Sequence, residues 1–323
     1  MKITIIGFGS WGIPLGILLE KNGCDVTAWD NENYVRELQK TRRNNYLPDA
    51  VVPSSIRITS DVAEASEVAE IFLIALASRE ITNVAPLFNF SGRIVVSASK
   101  GLEETRQIRI SEYLREVCGA SKVAVLTGPT HAEEVLRGIP TAIVAASEDE
   151  KTAETVQKIF SSEKFRVYTS TDVVGAELGG ALKNVIALAA GASDGLGFGD
   201  NTKAALITRG IAEITRLGVA MGAKEQTFAG LSGIGDLIVT CTSNYSRNWR
   251  AGNSLAKGNS LEHVLREIGA AVEGVSTAKT ALQFARAHKT EMPIVEEINH
   301  VLFDGKSPKN AVIDLMRREL KEE

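Results

Sequence analysis

The hydrophobic rhythm of the chain changes near residue 171. Before it, short runs of aliphatic and β-branched residues alternate with stretches where apolar residues recur every three or four positions. The short runs predict strands at 2–6, 24–29, 71–76, 93–98, 123–127 and 141–146. The longer periodic stretches predict helices at 10–22, 103–117 and 151–161. Strands without internal polar alternation are buried on both faces, and strand–helix alternation predicts a parallel, doubly wound sheet. After residue 171 the strand signals stop. Helices are expected at 172–192, 201–222, 245–257, 260–268, 274–288, 294–304 and 308–321. The expected fold class is α/β, with a sheet domain over 1–171 followed by an all-helical domain over 172–323.

Length agrees with that division, since 323 residues exceed one typical domain. A content of 44% hydrophobic and 24% charged residues is that of an ordinary globular chain. The net charge of -4 and the lack of a basic stretch weigh against nucleic-acid binding. Cys24, Cys118 and Cys241 stand far apart without CxxC spacing. That excludes a disulfide framework and a thiolate metal site, and it fits a reducing cytoplasm. His131, His263, His288 and His300 show no HExxH spacing, so no metal site is expected. The first apolar run is too short for a signal peptide, and no uninterrupted apolar run nears ~18 residues, so no membrane insertion is expected.

The loop between the first strand and helix reads Gly7-Phe8-Gly9-Ser10-Trp11-Gly12. GxGxxG between a strand and a helix is a dinucleotide fingerprint and makes the domain Rossmann-like. Gly7 permits the tight turn, Gly9 lets a pyrophosphate approach the backbone, and Gly12 lets helix pack on strand. The helix N-terminus offers N–H groups to the phosphates. Pro14 falls where those N–H groups are unpaired anyway. Asp30 ends the second strand, where an acid can bond the adenosine ribose; it is equally a candidate helix N-cap. An acid there repels a 2′-phosphate and favours NADH over NADPH, although Arg36, Arg42 and Arg43 follow closely and could bind one.

Two loops with polar residues leave later strands, Ser97–Glu103 with Lys100 and Leu126–Ala132 with Gly128, Thr130 and His131. Ligands in open α/β sheets lie outside the carboxyl ends of the strands, so both loops point at a site. Lys100 is either a surface lysine or a positive charge against substrate or cofactor. His131 could act as a general base, but it stands alone beside a Gly-Pro turn with no partner in the sequence and is read as non-catalytic. In the helical half, Gly179-Gly180-Ala181-Leu182-Lys183-Asn184 puts positions 179, 180 and 183 on one face. Each glycine costs about 1 kcal/mol of helix stability relative to alanine. A cleared face beside Lys183 suits either a neighbouring helix or a small substrate lying against a nicotinamide ring. Asp236 could fix the Lys183 ammonium or cap a helix. Ser246-Arg247-Asn248 opens a helix and reads as an anion pocket or as a cap plus a surface arginine. Glu273 precedes a helix as a capping acid or a cofactor contact.

Together these segments resemble the NAD(P)-dependent glycerol-3-phosphate dehydrogenases of the bacterial type. The resemblance runs through Gly-Phe-Gly-Ser-Trp-Gly (7–12), Tyr46-Leu47-Pro48, Ser-Lys-Gly-Leu-Glu (99–103), Gly-Pro-Thr (128–130) and Gly-Gly-Ala-Leu-Lys-Asn (179–184). It continues with Ser-Asp-Gly-Leu-Gly-Phe-Gly (193–199), Thr-Arg-Gly (208–210), Gly-Asp-Leu (235–237), Thr-Cys-Thr (240–242), Ser-Arg-Asn (246–248), Val-Glu-Gly (272–274) and Glu-Met-Pro-Ile (291–294). It implies reversible reduction of dihydroxyacetone phosphate to sn-glycerol 3-phosphate for phospholipid synthesis, with Lys183 as general acid and base. It implies substrate contacts from Lys100, Gly128, Thr130, Lys183, Asn184, Asp236, Thr240, Ser246, Arg247 and Asn248. It implies cofactor contacts from Ser10, Trp11, Lys100, Ala132, Arg247 and Glu273, beside Gly7, Gly9, Gly12 and Asp30 of the fingerprint. Pro14 and the pair Asp30-Asn31 depart from the family pattern and bear on cofactor choice. A homodimer is expected from the apolar helical half. Dehydrogenases of 3-hydroxy acids or 6-phosphogluconate share the architecture, but Ser246-Arg247-Asn248 and the Thr-Cys-Thr loop favour a triose phosphate. A nucleotide sensor with a dead site is disfavoured by Lys183, Asp236 and Arg247 together.

Overall fold

A computed structural model describes residues 1–45, 47–320 and 322. Tyr46, quoted above in Tyr46-Leu47-Pro48, and Lys321, the expected end of the last helix, lie outside the described residues. The chain opens with β1 (Lys2–Ile6), α1 (Gly12–Lys21), β2 (Asp25–Trp29) and α2 (Glu32–Thr41). A hairpin of β3 (Arg43–Asn44) and β4 (Leu47–Val51) follows, then β5 (Arg57–Thr59), α3 (Val62–Glu67), β6 (Ile71–Ile74), α4 (Ser78–Val84) and β7 (Ile94–Ser97). A second hairpin, β8 (Leu102–Glu103) and β9 (Ile108–Arg109), leads to α5 (Ile110–Glu116), β10 (Lys122–Thr127), α6 (Ala132–Leu136), β11 (Thr141–Ala146), α7 (Glu150–Phe160) and β12 (Phe165–Ser170). Helices follow: α8 (Val173–Gly195), α9 (Asp200–Ala220), α10 (Glu225–Phe228), α11 (Asp236–Thr242) and α12 (Arg247–Ala256), then α13 (Leu261–Ile268), α14 (Glu273–Ala287), α15 (Pro293–Phe303) and α16 (Pro308–Met316).

Eight strands form one sheet in the order β12-β11-β10-β7-β6-β1-β2-β5. The order reverses between β1 and β6, which is the crevice where a doubly wound sheet takes its ligand. One pairing departs from the expected parallel sheet: β10 and β11 run antiparallel, with Thr127 opposite Val144. Helix α6 has five residues, about 7.5 Å, and cannot carry the chain back along a six-residue strand of about 20 Å. The chain turns at the carboxyl edge instead. The helix expected over 103–117 is also shorter. Gln107 adopts φ 57, and the Glu103 carboxylate accepts the N–H groups of Thr105 and Arg106 at 2.9 and 2.6 Å. That tight turn makes a hairpin of 102–109, and the helix begins only at Ile110. The last helix ends at Met316 rather than near 321.

The sheet buries both faces. Ile5, Leu73, Val96 and Ala124 pack with Ile13 and Leu15 on one side, while Ile6, Phe72, Ile74 and Val95 pack with Ile110 and Leu114 on the other. Helix α8 is the axis of the helical half and is surrounded by residues of α9, α11, α12 and α14. By length and composition it is apolar enough to cross a membrane, but most of it is buried inside the protein. Its apolar surface is therefore covered by its own chain.

Candidate active site

The carboxyl edge of the sheet meets the middle of α8. In the glycine loop, Gly7 adopts φ 91, and a Cβ on Gly12 would collide with the Gly7 carbonyl. Nothing lies within 4 Å of where a Gly9 Cβ would sit, and Trp11 precedes α1 without a side-chain cap. Open backbone and an uncapped helix start fit a pyrophosphate. Ser10 lies in the loop, and Ala132 opens α6. Asp30 does not cap α2; Asn31 does, accepting from Tyr34 N. Asp30 instead accepts Phe8 N at 2.8 Å, which ties the end of β2 to the glycine loop. Burial pushes its carboxyl up from the usual range.

At the centre, Asp236 is fully buried and bridges two lysines. Its Oδ1 accepts from Lys183 Nζ, and its Oδ2 accepts from Lys100 Nζ at 2.9 Å. Lys183 also donates to Thr240 Oγ1 at 2.8 Å, while the Thr240 hydroxyl donates to the Asp236 carbonyl at 2.6 Å. Two of the three Lys183 N–H bonds are thus directed, and the third can meet a substrate oxygen. Lys100 donates further to the Gly128 carbonyl at 2.8 Å and to Thr130 Oγ1 at 3.2 Å. It therefore clamps the β10–α6 turn onto α11. Burial lowers the Lys183 ammonium to about 7, opposed by Asp236 and assisted by the positive charge of Lys100.

Of the two occupants the sequence allowed for the face at the paired glycines, a neighbouring part of the protein or a substrate, the structure puts protein there. A Cβ on Gly179 would collide with the Ser232 carbonyl, and one on Gly180 would press on Thr127 Oγ1. Protein fills that space, so the glycines let this stretch of α8 lie against β10 and the kinked turn at Gly233. Asn184 and Asn248 bond each other: Asn248 Nδ2 donates to Asn184 Oδ1 at 2.9 Å, and Asn248 Oδ1 accepts Gly274 N at 2.8 Å. Asn184 Nδ2 reaches the Lys100 carbonyl at 3.3 Å. These amides connect α8, α12, α14 and the β7 loop. Ser246 caps α12, accepting from Trp249 N at 3.2 Å. Arg247 starts that helix, close enough for its charge to pull the Glu273 carboxyl down, although burial raises it more.

Glu273 is held by Ser78, whose N–H donates to Oε1 at 3.1 Å and whose hydroxyl donates to Oε2. Sequence reasoning passed over Ser78, although it follows the 71–76 strand at the same carboxyl edge as Lys100. His131 stands at the start of α6 with Nε2 3.3 Å from the Val239 carbonyl, and burial lowers its pKa. No group of three metal-binding side chains occurs among the described residues.

The chain is similar along most of its length to known proteins. Residues 2–153 match the model of the NAD-dependent glycerol-3-phosphate dehydrogenase N-terminus, and residues 172–313 match that of the C-terminus. The glycerol-3-phosphate dehydrogenase [NAD(P)+] of Thermoanaerobacter sp. (strain X514) is 52% identical, covering 100% of this chain and 99% of its own length. That of Bacillus pumilus (strain SAFR-032) is 47% identical over 98% of this chain and 94% of its own. The crystal structure of glycerol-3-phosphate dehydrogenase from Coxiella burnetii superposes with TM-score 0.93 at 35% identity, covering 98% of this chain and 99% of that one. With both halves matched by the family models and a relative half identical over the full chain, this chain belongs to the NAD-dependent glycerol-3-phosphate dehydrogenase family.

Proposed function

We propose that the protein reduces dihydroxyacetone phosphate to sn-glycerol 3-phosphate, reversibly, with NAD(P)H. The observation that carries this reading is the buried Lys183, held by Asp236 and Thr240 beside the loops at Lys100 and Gly128. Bound NAD(P)H supplies the hydride. Lys183 presents a positive charge and a proton to the carbonyl oxygen where negative charge develops, and in reverse its neutral amine takes the alcohol proton. Asp236 and Thr240 orient it. Lys100, Gly128, Thr130 and Asn184 line the substrate's reacting end. Arg247 binds the phosphate with Ser246, Asn248 and the N–H groups of α12. Gly7, Gly9, Ser10, Trp11, Gly12, Asp30, Ala132 and Glu273 hold the cofactor, joined by Lys100 and Arg247. Residues 1–171 form the dinucleotide domain and 172–323 the substrate domain.

The preferred cofactor is NADH. Asp30 supports this, and so does the engagement of the nearby arginines. Arg42 donates to the Pro53 and Ile56 carbonyls at 3.2 and 3.0 Å, Arg43 to the Pro48 carbonyl at 3.1 Å, and Arg36 pairs with Glu32. The enzyme works as a cytoplasmic homodimer that feeds phospholipid synthesis. Three free cysteines support the compartment, and exposed Val219, Leu265 and Phe303 on the helical half support a self-contact.

Purified protein mixed with dihydroxyacetone phosphate and either NADH or NADPH tests this by loss of cofactor absorbance. Substrate-dependent oxidation, faster with NADH, is expected. No oxidation by folded protein with either cofactor would remove the activity, and faster NADPH turnover would remove the role given to Asp30.

A further inference from the structure

Three side chains outside that set meet at the far end of α8. Trp249 Nε1 donates to Asp194 Oδ2 at 2.7 Å, and Lys203 Nζ lies 2.9 Å from the same oxygen. Asp194 belongs to the last turn of α8, Lys203 to the first turn of α9 and Trp249 to the first turn of α12. The Asp194 side chain is only 16% exposed. Lys203 neutralises it, so the indole N–H is gripped without adding net negative charge to this end of α12.

Trp249 and its neighbour Asn248 follow Arg247 directly on α12. Asn248 reaches Asn184 and Trp249 reaches Asp194. Those two α8 residues are separated by roughly 15 Å along the helix axis. The first turn of α12 is therefore braced in both directions along the helix that carries Lys183. Between the braces the helices touch backbone to backbone: a Cβ on Gly191 would overlap the Trp249 carbonyl, and one on Gly252 the Leu188 carbonyl. No side chain cushions that contact.

We propose that Asp194 is a positioning residue for the substrate phosphate: through Trp249 it sets the distance from the Arg247 end of α12 to the Lys183 ammonium. That distance selects the length of molecule able to bridge the two. The inference rests on the reading of Arg247 as the phosphate ligand.

Steady-state kinetics of the full-length enzyme test it. Asp194→Ala and Trp249→Phe should each raise KM for dihydroxyacetone phosphate by about tenfold, since small misplacements of a binding group are costly. The inhibition constant of inorganic phosphate should rise in parallel, and KM for the reduced cofactor should not. Asp194→Asn keeps an acceptor for the indole and should stay within about threefold of wild type, and the Ala/Phe double variant should be no worse than either single one. Equal losses for substrate and cofactor, no loss at all, or an Asn variant as damaged as the Ala variant would overturn the role. Arg247→Ala separates the two claims. If it leaves KM for dihydroxyacetone phosphate unmoved, the phosphate reading itself fails. If it raises KM while Asp194→Ala and Trp249→Phe do not, only the positioning role fails. Should Asp194→Ala not fold, Asp194→Asn and Trp249→Phe carry the same comparison.

Discussion

Lys183 sits at the balance point of two opposed effects. Burial favours the neutral amine, and the adjoining Asp236 carboxylate favours the ammonium; burial wins, and the pKa falls to about 7. A general acid with that value is charged in only part of the neutral range. Reduction needs the ammonium, so kcat for reduction should fall as pH rises through about 7, while kcat for oxidation should rise over the same interval. Neighbouring substitutions should move that midpoint in opposite directions. Asp236→Asn removes the stabilising anion and should shift it down. Lys100→Met removes the repelling cation and should shift it up. Lys183→Ala should cost roughly 10²–10⁴-fold in turnover while cofactor binding persists. Profiles of kcat against pH for the three variants check this, and a shift of the same sign in both neighbours would refute the electrostatic account.

At the scale of elements, helix ends show what kept the fold readable and what hid it. Helix α15 starts at Pro293, and its first N–H groups are capped from another helix: Glu213 of α9 accepts Ile294 N at 2.8 Å and Val295 N at 3.4 Å. Burial raises Glu213 to about 7, against these bonds and the charge of Arg216, with Glu296 pushing the same way as burial. The unfolded chain would hold this proton at about 4.3. The folded state binds it more tightly, so the group favours folding most below about 4.3 and loses that contribution as pH rises to the folded value. The shift amounts to roughly 4 kcal/mol. Glu213→Gln keeps an acceptor but does not titrate, and it should be the more stable form at pH 8 while matching wild type near pH 4. Urea midpoints at the two pH values check this; parallel pH slopes would dismiss it. Periodicity found α15 and placed its start near Pro293, but no local pattern announces a cap supplied from another helix. The same limit explains the other misses. Strands of the inner sheet carry short, buried apolar runs and stand out. Short β5 and the β8–β9 hairpin have only two or three residues per strand and carry no such run. Antiparallel pairing of β10 with β11 depends on the length of one connection. Lys183, Asp236 and Arg247 were visible as motifs, because each departs from its apolar or helical surroundings. Ser78 and Trp249 were not, because their partners are distant in sequence.

Across the whole molecule, the sheet half and the helical half are joined by buried polar contacts in addition to packed apolar ones. Glu177 of α8 accepts Ser111 N at 2.7 Å, Ser111 Oγ at 2.6 Å and Arg109 Nη1 at 3.0 Å, all at the start of α5. Arg109 also bonds Glu112 at 2.6 Å. Burial raises the Glu177 carboxyl, with Arg109 opposing it. Removing one partner of such a pair strands the other charge in the interior, at a cost of about 3–5 kcal/mol. Arg109→Ala should therefore lower stability by that order, and because the joint spans the two halves it should also uncouple them. Tryptophans report on each side: Trp11 and Trp29 belong to the sheet half and Trp249 to the helical half. Wild-type protein should show one unfolding transition in urea, with the same midpoint from a variant carrying only Trp249 and from one lacking it. In the Arg109→Ala background those midpoints should separate. A loss under about 1 kcal/mol with coincident midpoints would mean that apolar packing around α8 alone couples the halves.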